Sequence, residues 1–332
     1  MNYPFDIEEV FPGESADAVR LPRRQSGSSP QGLTVTLLAD YTVRTGAWLP
    51  SAAIVALLTE SGVSSAGARN AISRLARRGV LECSRHGRYS SYRLTRPAAT
   101  DLSVGGQWIA SYGADAETWN GRWTLITFSL PQDEAVRRRT LRVHLRWLGY
   151  APLYDALWVS PHELPPDAHG KLAALAPGTH TVFRARHVDL AAAGDRSPIA
   201  AWDIPAIAEQ YGAFIRRWSA VLPRVRSGRI DGAEAVRTRT EVMDTYRRFS
   251  SLDPQLPLEL LPKGWLRQPA REVFAAIYDG LADAAGQHVR AVTARYAAGP
   301  PPEIHANTVA DLLVDGPSGG ARISSPGGRL TT

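Results

Sequence analysis

The 332-residue chain carries 38 Lys and Arg against 32 Asp and Glu, for a net charge of +6, and 44% of its residues are hydrophobic. That length holds two or three domains, and no run approaches the roughly 20 apolar residues of a membrane span. A single cysteine, Cys83, excludes an internal disulfide and a cysteine-rich zinc site.

The opening MNYPFDIEEVF is acidic where a signal peptide is basic and then apolar, so a cytoplasmic protein is expected. Residues 1–30, rich in Pro, Gly and Ser, read as a disordered arm. A regular pattern begins after them. Leu33, Leu37, Leu38 and Tyr41 recur at helical spacing, and a short edge strand around Trp48 ends at Pro50. Ser51 is expected to cap a second helix, with Ile54, Leu57 and Leu58 turned inward.

Residues 62–95 then predict the unit around which the rest is organised. Ser64 and Ser65 are N-cap residues for a helix running to Arg78. At 100° per residue Ala68, Ile72 and Leu75 share one side, while Arg69, Asn70, Ser73, Arg74 and Arg77 share the other. Two strands follow, at 80–84 and 89–95, around a basic turn from Arg85 to Arg88. A polar helix followed at once by a basic hairpin is the order of a winged helix-turn-helix, whose helix enters a major groove and whose wing reaches the neighbouring backbone. The candidate DNA contacts are therefore Ser64, Ser65, Arg69, Asn70, Ser73, Arg74, Arg77, Arg85 and Arg88. The alternative is a solvated helix beside a surface hairpin. Charge favours DNA: residues 31–96 hold nine Arg against Asp40, Glu60 and Glu82, so this segment alone carries +6 and the remainder balances to zero.

Residues 97–118 read as a connector with a short helix near 103–110. Between 119 and 190 strands alternate with helices (strands at 122–129, 157–160 and 180–186; helices at 131–148 and 167–175), which predicts a small ferredoxin-like α/β domain. The helix at 131–148 has two apolar faces, Val136, Thr140, Val143 and Trp147 on one and Leu141, Leu145 and Leu148 on another. One must cover the sheet and the other needs a second partner. Its third face carries Arg138, Arg139, Arg142 and Arg146, either solvated or, through Arg139, Arg142 and Arg146, offered to the phosphates of an anionic effector. Residues 200–298 are helical, with DPQLPLELLPKGW as an elbow, and are expected to serve effector binding and dimerisation. Trp202, Tyr211, Phe214, Trp218, Tyr246, Phe249 and Trp265 are mainly core there. The segment 299–332 reads as a disordered tail. The fold class is thus α+β: winged helix, ferredoxin-like centre, helical C-terminal domain.

The segments LTVTLLADYTVRTGAWLP to SSYRLT, WNGRWTLITFSLP, LRWLGYAPLYDALWVSP, AWDIPAIAEQYGAF and FSSLDPQLPLELLPKGW together resemble the PaaX family of bacterial repressors, over about residues 32–295. The resemblance implies a dimeric transcriptional repressor of aromatic catabolism genes, bound to double-stranded operator DNA and released by an aryl-CoA thioester such as phenylacetyl-CoA. The middle domain also resembles the fold of small CRISPR-adaptation nucleases, which carry an Asp at the end of the first strand. Here ITFSLP places Ser129 there, so no metal-dependent cleavage is expected. No GxSxG, Walker A or GxGxxG motif is present, and the eight His residues form no ligand pair at helical spacing. Cys83, alternating with Leu81, is expected to be a small core residue. The reading is a regulator with no catalytic residue, cofactor or metal. The alternative is a CoA-ester-handling enzyme or nuclease-like protein with an incidental winged domain.

Overall fold

The computed structural model describes residues 29–314 except 88, 115–117, 132, 177–178 and 189–195. The arm expected at 1–30 therefore lies, but for its last two residues, outside the described residues.

Helix α1 (Pro30–Thr42) starts where the Ser29 hydroxyl accepts the Gly32 N–H at 3.0 Å and Pro30 occupies the first helical position. After strand β1 (Leu49–Pro50) come α2 (Ser51–Glu60) and α3 (Ser65–Arg77). Ser51 is not the cap of α2: Pro50 takes that place, and Ser51 is the first helical residue, its hydroxyl bonded to that of Ser90. Strands β2 (Leu81–His86) and β3 (Tyr89–Leu94) form an antiparallel hairpin, with β1 added to the outer edge of β3. Pairing extends to His86–Tyr89, so the tip is two residues, narrower than the four expected. The connector is also more regular than expected, a 16-residue helix α4 (Arg96–Ser111) with Pro97 in its first turn.

The middle domain runs β4 (Trp123–Phe128), α5 (Ala135–Trp147), β5 (Ala151–Tyr154), β6 (Leu157–Ser160), α6 (Pro166–Leu175) and β7 (His180–Ala185). Its sheet order is β5-β6-β4-β7 with every neighbouring pair antiparallel. Strand β5 was missed from sequence: it is short and contains Pro152, which only an edge strand accommodates. One sheet face, with Ile126, Phe128 and Trp158, packs on Leu141 and Leu145 of α5 and on Ala168 and Leu172 of α6. On the opposite face Trp123, Leu153 and Val159 are covered by Trp119, Ile199 and Trp202.

The helical body comprises α7 (Ile204–Ser219), α8 (Leu222–Arg226), α9 (Gly232–Tyr246), α10 (Phe249–Leu252), α11 (Arg267–Gly280), α12 (Ala282–Tyr296) and α13 (Val309–Leu313). Helices α11 and α12 follow one another with only Leu281 between them, and Gly280, the last residue of α11, lies so close to α8 that a Cβ would sit 2.8 Å from Val225 Cγ1. Tyr211, Phe214, Trp218, Tyr246 and Phe249 are buried, and Tyr246 stacks on Phe274 with ring centroids 4.1 Å apart. The elbow is anchored by Asp253, which takes both oxygens into a buried pair with Arg267 (2.8 and 2.9 Å) and accepts from Tyr211 Oη at 2.8 Å. Tyr112, at the exit of α4, bonds both Tyr211 Oη and the Asp253 carbonyl.

Leu38, Leu57, Leu75, Tyr211, Phe274 and Val289 belong to one continuous apolar core, which joins the first three helices to the body. The tail was read as disordered from 299, yet residues 303–313 pack against α1 and α4, with Ile304 and Val309 buried. Residues 315–332 lie outside the described residues.

Candidate nucleic-acid interface

The exposed side of α3 is built by its buried side. Ala68, Ala71, Ile72 and Leu75 are each at most 3% exposed against α1 and α2, which turns Ser65, Arg69, Asn70, Ser73, Arg74 and Arg77 to solvent. Ser64 is exposed as the N-cap, its hydroxyl accepting the Gly67 N–H at 3.1 Å. At the other end Gly79, at φ +73°, closes the helix and aims the chain into β2. Among the described residues no carboxylate forms an ion pair with Arg69, Arg74 or Arg77.

The hairpin projects beyond the core, and Arg85 and His86 near its tip are exposed. Arg88 lies outside the described residues. One further feature of this tip escaped the sequence: Tyr89, 50% exposed, pairs with His86 across the strands. Cys83 is exposed, not a core residue, because the strand has left the body by that position. Arg93 is already committed: its Nε lies 2.6 Å from Glu82 Oε1, and its guanidinium sits 4.5 Å from the Trp48 ring centroid.

On α5, Arg139, Arg142 and Arg146 are all exposed, and Arg146 leans over Trp158 with 5.8 Å to the ring centroid. Arg138 does not join them: it donates to the Leu130 carbonyl at 2.8 Å and the Pro131 carbonyl at 2.6 Å and so closes the loop before the helix. The Leu141 and Leu145 face is buried on the sheet, whereas Val136 is 81% exposed and Thr140 lies open beside it. Ser129 follows β4 and donates its N–H to the Thr179 carbonyl at 2.9 Å. Among the described residues no three His, Cys, Asp or Glu side chains gather as metal ligands.

A fold of mixed helix and sheet, with a helix of arginine and amide donors facing solvent beside a hairpin, defines the class into which the comparisons fall. Three consecutive domain descriptions match: PaaX-like protein at residues 29–98, PaaX protein central Cas2-like domain at 116–196, and PaaX-like protein C-terminal domain at 202–291. The chain belongs to the PaaX family. It is 28% identical over 255 residues to the transcriptional repressor PaaX of Escherichia coli (strain K12), covering 72% of this chain and 75% of that protein. An uncharacterized protein of Mycobacterium tuberculosis, Rv0674, shares the fold with a TM-score of 0.52 and 21% identity, over 78% of this chain and 96% of that one.

Proposed function

We propose that this protein is a cytoplasmic, ligand-responsive, DNA-binding transcriptional repressor of aromatic, phenylacetate-type catabolism genes, working as a homodimer without catalytic chemistry. The observation that carries the reading is the solvent face of α3, where three guanidiniums, an amide and hydroxyls stand clear of any described ion pair, on a helix that a basic hairpin follows at once. In this reading α1 to β3 form a winged helix-turn-helix. Ser64, Ser65, Arg69, Asn70, Ser73, Arg74 and Arg77 approach the major groove, and Arg85 and Arg88 approach phosphates. The middle domain is ferredoxin-like, its four strands following the βαββαβ chain order with the first and third strands central. Kinship with a protein named as a transcriptional repressor supports the regulatory role.

The effector in this proposal is an aryl-CoA thioester, phenylacetyl-CoA or a close relative. The guanidiniums of Arg139, Arg142 and Arg146 are its proposed phosphate contacts, since charge-assisted bonds from arginine suit phosphate geometry. Effector binding must favour the DNA-incompetent state, because a ligand with equal affinity for both states shifts nothing. Gel shift of full-length protein on the duplex upstream of its own gene tests both parts. A shifted band that phenylacetyl-CoA dissolves is expected. No band at micromolar protein refutes the repressor, and a band indifferent to every thioester refutes the effector.

A further inference from the structure

An α-helix leaves its last four carbonyls without intrahelical partners. In α1 these belong to Ala39, Asp40, Tyr41 and Thr42. Only the last is answered locally, by the Gly46 N–H at 2.8 Å. The others are answered by the far end of the chain. The Asn307 side-chain amide donates to the Ala39 carbonyl at 3.0 Å, the Asn307 N–H to that of Asp40 at 3.0 Å, and the His305 N–H to that of Tyr41 at 3.1 Å. The C-terminal segment is thus the C-cap of the first helix of the DNA-reading module.

The same segment is fastened to the body from behind. Buried Arg239 of α9 donates to the Asn307 carbonyl at 2.7 Å and to the Tyr278 carbonyl, while Tyr278 Oη donates to Asp40 Oδ1 at 2.9 Å. The Val309 N–H donates to Asp279 Oδ1 at 2.7 Å, and Arg290 to the Ile304 carbonyl at 3.2 Å. Leu312 presses on α4 where Gly106 leaves room, and Arg44 donates to the Asp311 carbonyl at 3.0 Å. Polar bonds join the buried side chains of Ile304 and Val309 in making this joint, and buried polar contacts hold only in one geometry. α1 in turn packs directly on α3.

We propose that residues 303–313 are a clasp that fixes the orientation of the DNA-reading helix relative to the body, so that opening the clasp lowers DNA affinity without unfolding either part. The proposal rests on the reading of α3 as the DNA-binding helix. It assigns Asn307 and Arg239 as positioning residues that never touch DNA.

The test compares full-length wild type, Asn307→Ala, Arg44→Ala and Arg74→Ala on the labelled duplex upstream of the gene. It adds amide exchange on peptides covering 303–313 and the end of α1, and circular dichroism at the assay temperature. Arg44→Ala is the surface variant, since it cuts the tie to Asp311 outside the core. Expected are native dichroism, faster exchange in both peptides together, and at least tenfold weaker binding for Asn307→Ala, with a smaller loss for Arg44→Ala. Faster exchange with affinity unchanged, while Arg74→Ala loses binding, overturns the clasp and leaves the DNA reading standing. Unchanged affinity in all three variants overturns the reading of α3, and the clasp with it.

Discussion

Arg74 and Arg85 should answer differently to the same substitution. Arg74 lies on the exposed face of α3, within reach of base edges if that helix enters a major groove, where a bidentate contact discriminates by ~1–3 kcal/mol. Arg85 stands near the tip of a two-stranded hairpin, where the proposed wing would meet the DNA backbone. Arg74→Ala should weaken the best site most and flatten the preference among sites. Arg85→Ala should weaken all duplexes alike and lower the salt slope by about one unit. Anisotropy titrations over a salt series, on matched and scrambled duplexes, separate the two, and a site-specific effect from Arg85→Ala would make the wing a base reader. At this scale helical periodicity made the exposed face of α3 legible, because burying Ala68, Ile72 and Leu75 leaves no other side for its arginines. Strand alternation failed at Cys83: it tells which face a residue shares with Leu81, not whether the core still reaches it. Nor could a sequence show that Arg93 is taken by Glu82 and Trp48, since strand register makes those contacts.

The clasp shows why one element was unreadable in isolation. GPPP and a Gly-rich end signal disorder by composition, and within that tail nothing records the demand that orders 303–313. The demand comes from the carbonyl end of α1, 268 positions away at the bond from Asn307 to Ala39. The need for a glycine at position 280 was hidden for a similar reason, since the atom that leaves no room for a side chain there is on a valine of α8. What the clasp does carry locally is its own capping box: the Thr308 hydroxyl accepts the Asp311 N–H, and Asp311 accepts the Thr308 N–H at 2.9 Å. Burial alone would raise the Asp311 carboxyl, but the bonds from Thr308 and from His305 outweigh it and hold the group down to about 2. Its folded value lies below the ordinary 3.8, so the folded state favours the ionised form. That stabilisation is complete above the ordinary value and disappears as pH falls from there towards about 2. Amide protection of peptide 303–313, corrected for intrinsic exchange, should therefore hold from neutrality down to about pH 4 and decline below it. In Asp311→Asn the decline should vanish and the starting protection should be lower. A wild-type profile flat below pH 4 would remove Asp311 from this role.

For the whole molecule, the shared core decides how two reading helices could work together. Because α1 to α3 belong to the same apolar core as the body, and the clasp adds polar ties, the module is not a bead on a flexible linker. A protomer thus offers one α3 at one angle, enough for half a site. Two protomers related by a two-fold axis would require an inverted repeat with centres a whole number of turns apart, about 10 bp each. The surface available for pairing is on α5. Leu141 and Leu145 are spent on the sheet, while Val136 at 81% exposure, exposed Thr140 and half-buried Val143 line another face of the helix. A dimer closed through that face holds both reading helices at fixed separation, so DNA spacing should be felt sharply. Wild type should sediment as a dimer at micromolar concentration, and Val136→Asp should shift it towards monomer with dichroism intact, since the replaced side chain touches little of its own protomer. On DNA, 5 bp inserted between half-sites turns one to the opposite face of the duplex and should abolish high-affinity binding, whereas 10 bp restores the face and should recover part of it. Val136→Asp should bind a single half-site as wild type does and lose the advantage of the second. Equal affinity for the 5 bp and 10 bp insertions would mean that the two modules swing freely, and a wild-type monomer that holds one half-site tightly would remove the dimer altogether.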